Sequence, residues 1–412
     1  MPTDAPIHRR ATVPYVPFDP FSDEVLADGT EFHRALTAAG PAARVDQSEG
    51  FEIVAVGRYE TAAAVYDDPA MFLNSRGQGL LDRLEDESFR EPSVLVEADP
   101  PDHTVARSVI RKVITPRAVR GMRASFVAAA EAAVDRVVEQ GSFDAQTELA
   151  EAFPLKVIPD LVMGVREEGR ENLLRYSTVL FECLGPMTPR ARRVMEDAGD
   201  IDEVRTWIAE SCARENVGPA SLGARIWEAA DSGAITAAQA ANMVRSLLGA
   251  GLDTTIHSLA RTIYHLATHP EQWRKLRAAP ERATLAFDES LRLDPTVRQT
   301  YRTPARDTDI GGVPVREGQK IMLISGAVNR DPDHWGPDAD RYDLDRRSGS
   351  HLALGRGIHQ CVGGPIARLE ADALLGALAR RVESLELDGD PEVLLNNTVR
   401  GFTRLPVRVT AA

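Results

Sequence analysis

Residues 236–269, "TAAQAANMVRSLLGAGLDTTIHSLARTIYHLATH", constrain this chain more than any other stretch. Apolar residues recur at intervals of three and four, which predicts one helix over 236–268 with Thr236 as its N-cap and Pro270 just past its end. A helix that long has to run through a large core, and 412 residues can supply one. Its centre nevertheless holds Gly249, Gly251, Thr254 and Thr255, and each glycine costs about 1 kcal/mol relative to alanine. A weak point in the middle of a buried helix predicts that something needs backbone room there.

The flanking sequence reads as mainly helix with small sheets. "GFEIVAVGRYETAAAVYDD" predicts a short strand and then a helix, and "ADPPDHTVAR" predicts a helix starting at 102–104. After residue 295 the pattern turns to short strands and loops. A last helix follows Cys361, and "LLNNTVRGFTRLPVRV" reads as closing strand. No repeat or Gly/Ser linker divides the chain, so a single domain over 1–412 is expected, with residues 1–20 as an extended arm.

A formal net charge of −14 argues against nucleic-acid binding. No apolar run reaches the ~20 residues of a membrane span, and the first residues resemble no signal peptide. Three scattered cysteines make no disulfide framework and no zinc motif. The expectation is a soluble protein of a reducing cytoplasm, with Cys183 and Cys212 as small buried hydrophobes.

Cys361 stands apart. In "LALGRGIHQCVGG", residues 352–364, Gly355 and Gly357 permit positive φ, and a helical pattern begins just after the sulfur. A helix N-terminus there favours thiolate. The residues themselves allow a buried structural cysteine, a nucleophile with no base placed by sequence, or an axial thiolate for haem iron.

The stretch resembles the haem-binding loop of cytochrome P450 monooxygenases, with Gly355, Gly357, His359, Cys361 and Gly363 on the family pattern and Leu354 in place of the usual Phe. Three more motifs resemble the family's in order and spacing. They are "AGLDTT" (Ala250 to Thr255), "ESLR" with Glu289 and Arg292, and "ADRYDLDR" (339–346). The resemblance implies one triangular, mainly α domain, with haem b held between the long distal helix and the Cys loop and following helix (351–370). It implies Cys361 as the iron ligand, and His103, Arg107, Arg302 and His359 on the two propionates. Ala250 and Gly251 would leave room above the iron, Asp253 and Thr254 would supply the acid and hydroxyl that oxygen activation needs, and Glu289 with Arg292 would be structural.

O2 would be the co-substrate. Electrons from NAD(P)H would arrive through separate partners, a reductase and an iron–sulfur ferredoxin, since the chain carries neither module. Arg111, Lys112 and Arg356 are the candidate cations for that docking.

Ser246 lies roughly 12 Å along the helix from Thr254, far enough to hold one end of a one-ring molecule oxidised at the other. "REPS", "RSLLGAGLDTT" and "NNTVRGFTRLPV" resemble a bacterial subgroup that oxidises para-substituted benzoic acids, typically by O-demethylation of 4-methoxybenzoate. That resemblance puts Arg90, Ser93 and Ser246 on the carboxylate with Arg245 nearby. It puts Phe181 and Leu184 over the ring from one helix face, and Thr300 at the para end. Gly249, Leu184 and Thr300 depart from the subgroup's residues and would loosen the pocket. The rival readings are a monooxygenase of a neutral terpenoid, steroid or fatty acid, and a haem-thiolate sensor or ligand carrier.

Overall fold

A capping box starts the long helix. The Thr236 hydroxyl accepts from Gln239 N–H, and the Gln239 side chain accepts in return from Thr236 N–H. From there one unbroken helix runs Ala237–Thr268, as its periodicity predicts. Leu248, Leu252, Ile256, Leu259, Ile263 and Leu266 are all buried along it. Each such side chain contributes about 1.5–3 kcal/mol, which outweighs the cost of the central glycines.

The computed structural model describes residues 13–46, 52–84 and 90–412. The helices that frame the site are, in chain order, α1 (Tyr59–Asp67), α2 (Asp102–Val113), α3 (Pro116–Gln140), α4 (Glu171–Glu182), the long helix α5, α6 (Ala283–Leu293) and α7 (Gly364–Arg381). A π-helical segment, Ala145–Glu151, lies against α5. One apolar cluster joins α2 through α7, so the long helix is packed from several sides.

A six-stranded sheet flanks this body. Its strands are β1 (Tyr15–Val16), β2 (Ala42–Val45), β3 (Val54–Val56), β4 (Phe72–Leu73), β5 (Gln299–Pro304) and β6 (Ile321–Ile324), in the order β1-β2-β3-β6-β5-β4. β5 runs antiparallel to β6 with Thr300 opposite Leu323 and Arg302 opposite Ile321, so Thr300 and Arg302 share one face. Of the arm expected over 1–20, residues 1–12 lie outside the described residues and 13–20 contain β1. The expected closing strand begins later than read: 395–400 is loop, and β7 (Gly401–Arg404) opens the final strands. Among the described residues no helix is long and apolar enough to cross a membrane.

Glu289 and Arg292 are both fully buried on α6, joined by two 2.8 Å bonds. Arg292 also donates to the carbonyls of Asn329 and Ala339 at 2.8 Å and of Arg341 at 3.0 Å. Glu289 accepts from Asp343 N–H, the Ser348 hydroxyl and Arg346 Nε. The i,i+3 pair read from sequence is thus a tie between α6 and the 329–348 segment. Removing one partner of such a buried pair costs about 3–5 kcal/mol. Glu289→Ala should therefore lower the urea midpoint of the haem-loaded protein by that equivalent, and an unchanged midpoint would show that the pair holds nothing.

Candidate active site

The Cys361 loop is built by its backbone. Gly355 and Gly357 adopt φ +66° and +71°, and a Cβ at Gly357 would press within 2.8 Å of Tyr66 O on α1. Cys361 N–H closes the turn on Leu354 O at 2.8 Å, and α7 starts three residues after the sulfur with Pro365 in its first turn. Burial pushes the Cys361 thiol up, and this outweighs the backbone N–H groups of Gly363 and Gly364 and the cations Arg107 and Arg368, which act to lower it. A coordinated metal cation at the sulfur would favour the thiolate expected from sequence.

α2 brings His103 and Arg107 against this loop. Arg107 donates to Gln360 O, and the His103 and His359 rings stand 4.2 Å apart. Burial, then His359 and Arg107, push His103 down to about 4, so its ring is neutral near pH 7. Arg302, buried on β5, lies 4.9 Å from the centre of the Tyr66 ring. The Tyr66 hydroxyl in turn bonds Thr300 Oγ1 at 2.7 Å. Across from the sulfur, Ala250 is exposed in the middle of an otherwise buried helix, and nothing stands within 4 Å of a Cβ built on Gly251. Gly249 has a different reason: a Cβ there would meet the Tyr176 ring at 2.8 Å, so Tyr176 takes the space that was expected to loosen the pocket. Thr254 Oγ1 donates back to Ala250 O at 2.8 Å, and burial pushes Asp253 up to about 7.

These residues fit a haem. His103 Nε2, Arg107 Nε and both His359 ring nitrogens are buried with no hydrogen-bond partner, the condition of donors built for carboxylates that belong to a cofactor. His103, Arg107, His359 and Arg302 would hold the propionates, and Cys361 the iron.

The far end of α5 gathers a second group. The Ser93 and Ser246 hydroxyls bond at 2.7 Å, and Ser246 also donates to Asn242 O. Arg90 Nη1 and Ser93 N–H both reach Glu97 Oε2, at 2.8 and 2.9 Å, while Arg83 Nε takes Oε1. Burial acts to raise Glu97, and Arg90 and Arg83 more than offset it, leaving the carboxyl below its ordinary range. Arg245 donates to Glu91 O at 2.9 Å. Two guanidiniums, Arg83 and Arg90, thus converge on one buried carboxylate beside two hydroxyls, and Arg245 pairs with Glu91 nearby.

Phe181 and Leu184 do not share a helix face as expected. α4 ends at Glu182, because "GP" at 185–186 cannot continue it. Phe181 is buried on α4, whereas Leu184 lies past its end, with its carbonyl accepting from Leu80 N–H at 3.0 Å. Arg356 is paired with Asp67 at 2.7 Å, while Arg111 and Lys112 stay exposed in the last turn of α2. Cys212 is buried as read; Cys183 is half-buried, its thiol 3.5 Å from Met195 Sδ. Sequence reasoning missed Tyr66, Glu97 and Asp99, which accepts from the N–H groups of Asn74 and Ser75. No local motif marks any of the three.

The family described as Cytochrome P450 matches residues 219–410. Cytochrome P450 CYP199A2 of Rhodopseudomonas palustris is 40% identical, over 100% of this chain and 98% of its own. Cytochrome P450 monooxygenase PikC of Streptomyces venezuelae is 31% identical, over 97% and 95%. Among solved structures, cytochrome P450 CYP109Q5 of Chondromyces apiculatus superposes with TM-score 0.80 at 28% identity, over 96% of this chain and 99% of that one.

Each propionate donor is one charge-assisted hydrogen bond, worth about 1.5–3 kcal/mol. Arg302→Leu and His103→Leu should each speed haem transfer to an excess of a haem-scavenging protein by roughly tenfold or more. Transfer at the parent rate in both would remove these residues from the cofactor site.

Proposed function

The chain belongs to the cytochrome P450 family, a haem-thiolate monooxygenase fed by redox partners, and from that premise we propose that it oxidises a small aromatic carboxylic acid. Its reaction is O-demethylation or hydroxylation of a para-substituted benzoate such as 4-methoxybenzoate. The observation that carries this reading is the Ser93–Ser246 hydroxyl pair at 2.7 Å, set beside Arg90 and Arg245. Arg90 and Arg83 share the buried Glu97 carboxylate, which holds their guanidiniums in place beside the hydroxyl pair where an anionic ligand would meet them. A neutral terpenoid or steroid would have to leave those groups in water or bury them unpaired.

Haem held by Cys361 supplies the redox chemistry of dioxygen. The protein's residues do the rest. Ser93, Ser246, Arg90 and Arg245 anchor the carboxylate, and Phe181 covers the ring. The other end of the ring then falls near Ala250 and Gly251, roughly 6–8 Å along the helix rise. Asp253 holds a proton within the core, next to the Thr254 hydroxyl, where it can be given up during turnover. Thr300, expected at the para end, shares its hydroxyl with Tyr66, whose ring lies against Arg302.

Electrons come from a ferredoxin and its reductase, docking on the exposed Arg111 and Lys112; Arg356, already paired with Asp67, contributes less. Glutamates at both positions should slow reduction of the haem by ferredoxin about tenfold at low salt, with the difference shrinking as salt rises. Parent rates at all salt concentrations would move the docking face elsewhere.

Optical titration of the ferric protein with 4-methoxybenzoate and with its methyl ester tests the substrate. The acid alone should shift the haem from low to high spin. Ser246→Ala and Arg90→Ala should each weaken that shift by about tenfold or more, as one charge-assisted contact is worth about 1.5–3 kcal/mol. Equal responses to acid and ester would overturn carboxylate anchoring.

A further inference from the structure

Asp253 has a partner that no motif announces. One turn along α5, His257 places Nε2 3.7 Å from Asp253 Oδ1, with both side chains buried. Among the described residues this is the ion pair Asp253 makes; no arginine or lysine reaches it. The ring is fixed from behind: a Cβ at Gly401, the first residue of β7, would fall 2.1 Å from His257 Nδ1. Glycine at 401 is therefore what allows an imidazole at 257.

The surroundings decide the tautomer. His257 Nδ1 is buried with no hydrogen-bond partner, so a hydrogen there would be an unsatisfied buried donor. On Nε2 the same hydrogen faces the Asp253 carboxyl, roughly 0.8 Å beyond ordinary N–H···O length. Burial and then Arg261 push His257 down to about 4, keeping the ring neutral. The other groups facing this pair are few. Glu151, on the π-helical segment, is raised by burial, by Asp253 and by Asp144. Arg400, leading into β7, is engaged with Asp294. From α4, Tyr176 abuts α5 one turn earlier, at Gly249.

We propose that His257, seated against Gly401, is the positioning residue for Asp253: it holds the carboxyl beside Thr254 and favours its ionised form. In turnover the Asp253 proton passes to the Thr254 hydroxyl as that hydroxyl gives its own proton to the dioxygen being reduced, and the carboxylate left behind accepts from Nε2–H until a proton from solvent restores the acid. The imidazole stays neutral and no electron moves through it. The proposal rests on the monooxygenase chemistry and not on which acid is oxidised.

Thermal unfolding of the haem-loaded protein tests this without any substrate. Asp253 is held above its ordinary range, at about 7, so its neutral form stabilises the fold at acid pH and that stability is lost as pH rises through 7. Without the Nε2–H donor the carboxyl moves higher still, and the loss continues further into alkaline pH. The Tm deficit of His257→Leu relative to the parent should therefore widen by about 2 °C between about pH 7 and about pH 9. That window lies above the range where His257 itself titrates. His257→Gln, which keeps a donor, should recover most of the widening. Gly401→Ala, which displaces the ring, should reproduce it even if His257→Leu does not load haem. In an Asp253→Asn background the His257→Leu deficit should not change with pH. A deficit equal at both pH values, or a widening that persists with Asn at 253, would overturn the proposal.

Discussion

Among the described residues Arg292 is the largest side chain with no exposure, and all five N–H groups of its guanidinium are spoken for. A charge in that position is tolerable only if the whole network is complete, because each buried ion costs several kcal/mol to desolvate. Completeness reaches as far as the sulfur. Arg292 fixes the Asn329 carbonyl, the Asn329 side chain accepts from Leu352 N–H at 2.8 Å, Leu352 O accepts from Gly355, and Leu354 O accepts from Cys361. A loop with two positive-φ glycines has little rigidity of its own. Its place is inherited from a salt bridge on another helix.

The long helix organises the opposite side by sorting polarity along its length. Near Ser246 it meets guanidiniums and hydroxyls, at Ala250 and Gly251 it presents no side chain of size, and at Asp253 it carries an acid in apolar surroundings. Thr254, Thr255, Ser258 and Thr262 each bond back to the carbonyl four residues earlier, so the hydroxyls that weaken helix propensity are satisfied within the helix. The expected weak point at the centre is not a break. It is a stretch whose two glycines serve different neighbours, Tyr176 at Gly249 and open space at Gly251.

What was legible in the sequence is what the chemistry confines to a short window. The Cys361 turn, the Glu289/Arg292 spacing, the Thr236 N-cap and the Ala250–Thr255 stretch each carry their meaning within a few residues, and the helices follow from periodicity. The residues that escaped notice act across long separations. Glu97 matters because Arg83 and Arg90 fold onto it, Tyr66 because β5 brings Thr300 to its hydroxyl, and His257 because Gly401 arrives from the last strands. Leu184 failed for the opposite reason: the local signal, Gly185–Pro186, was present and ends α4 before that side chain can share a face with Phe181.

The two ends of α5 are also coupled by charge. An anionic substrate held near Ser246 stands roughly 12 Å along the helix from the proton-holding region around Asp253. At an effective dielectric of about 20, a bare negative charge at that distance acts on a carboxyl with roughly 1.4 kcal/mol, about one pKa unit. It would raise an acid already at about 7 and make its proton harder to release in the presence of substrate. Under the proposed anchoring, Arg90 and Arg245 would offset part of that field at its source, since a paired anion acts at this range more as a dipole than as a bare charge. On the proposed reading the arginines at one end of the helix would do more than select an acid. They would keep the substrate's charge from reaching the proton that its own oxidation requires.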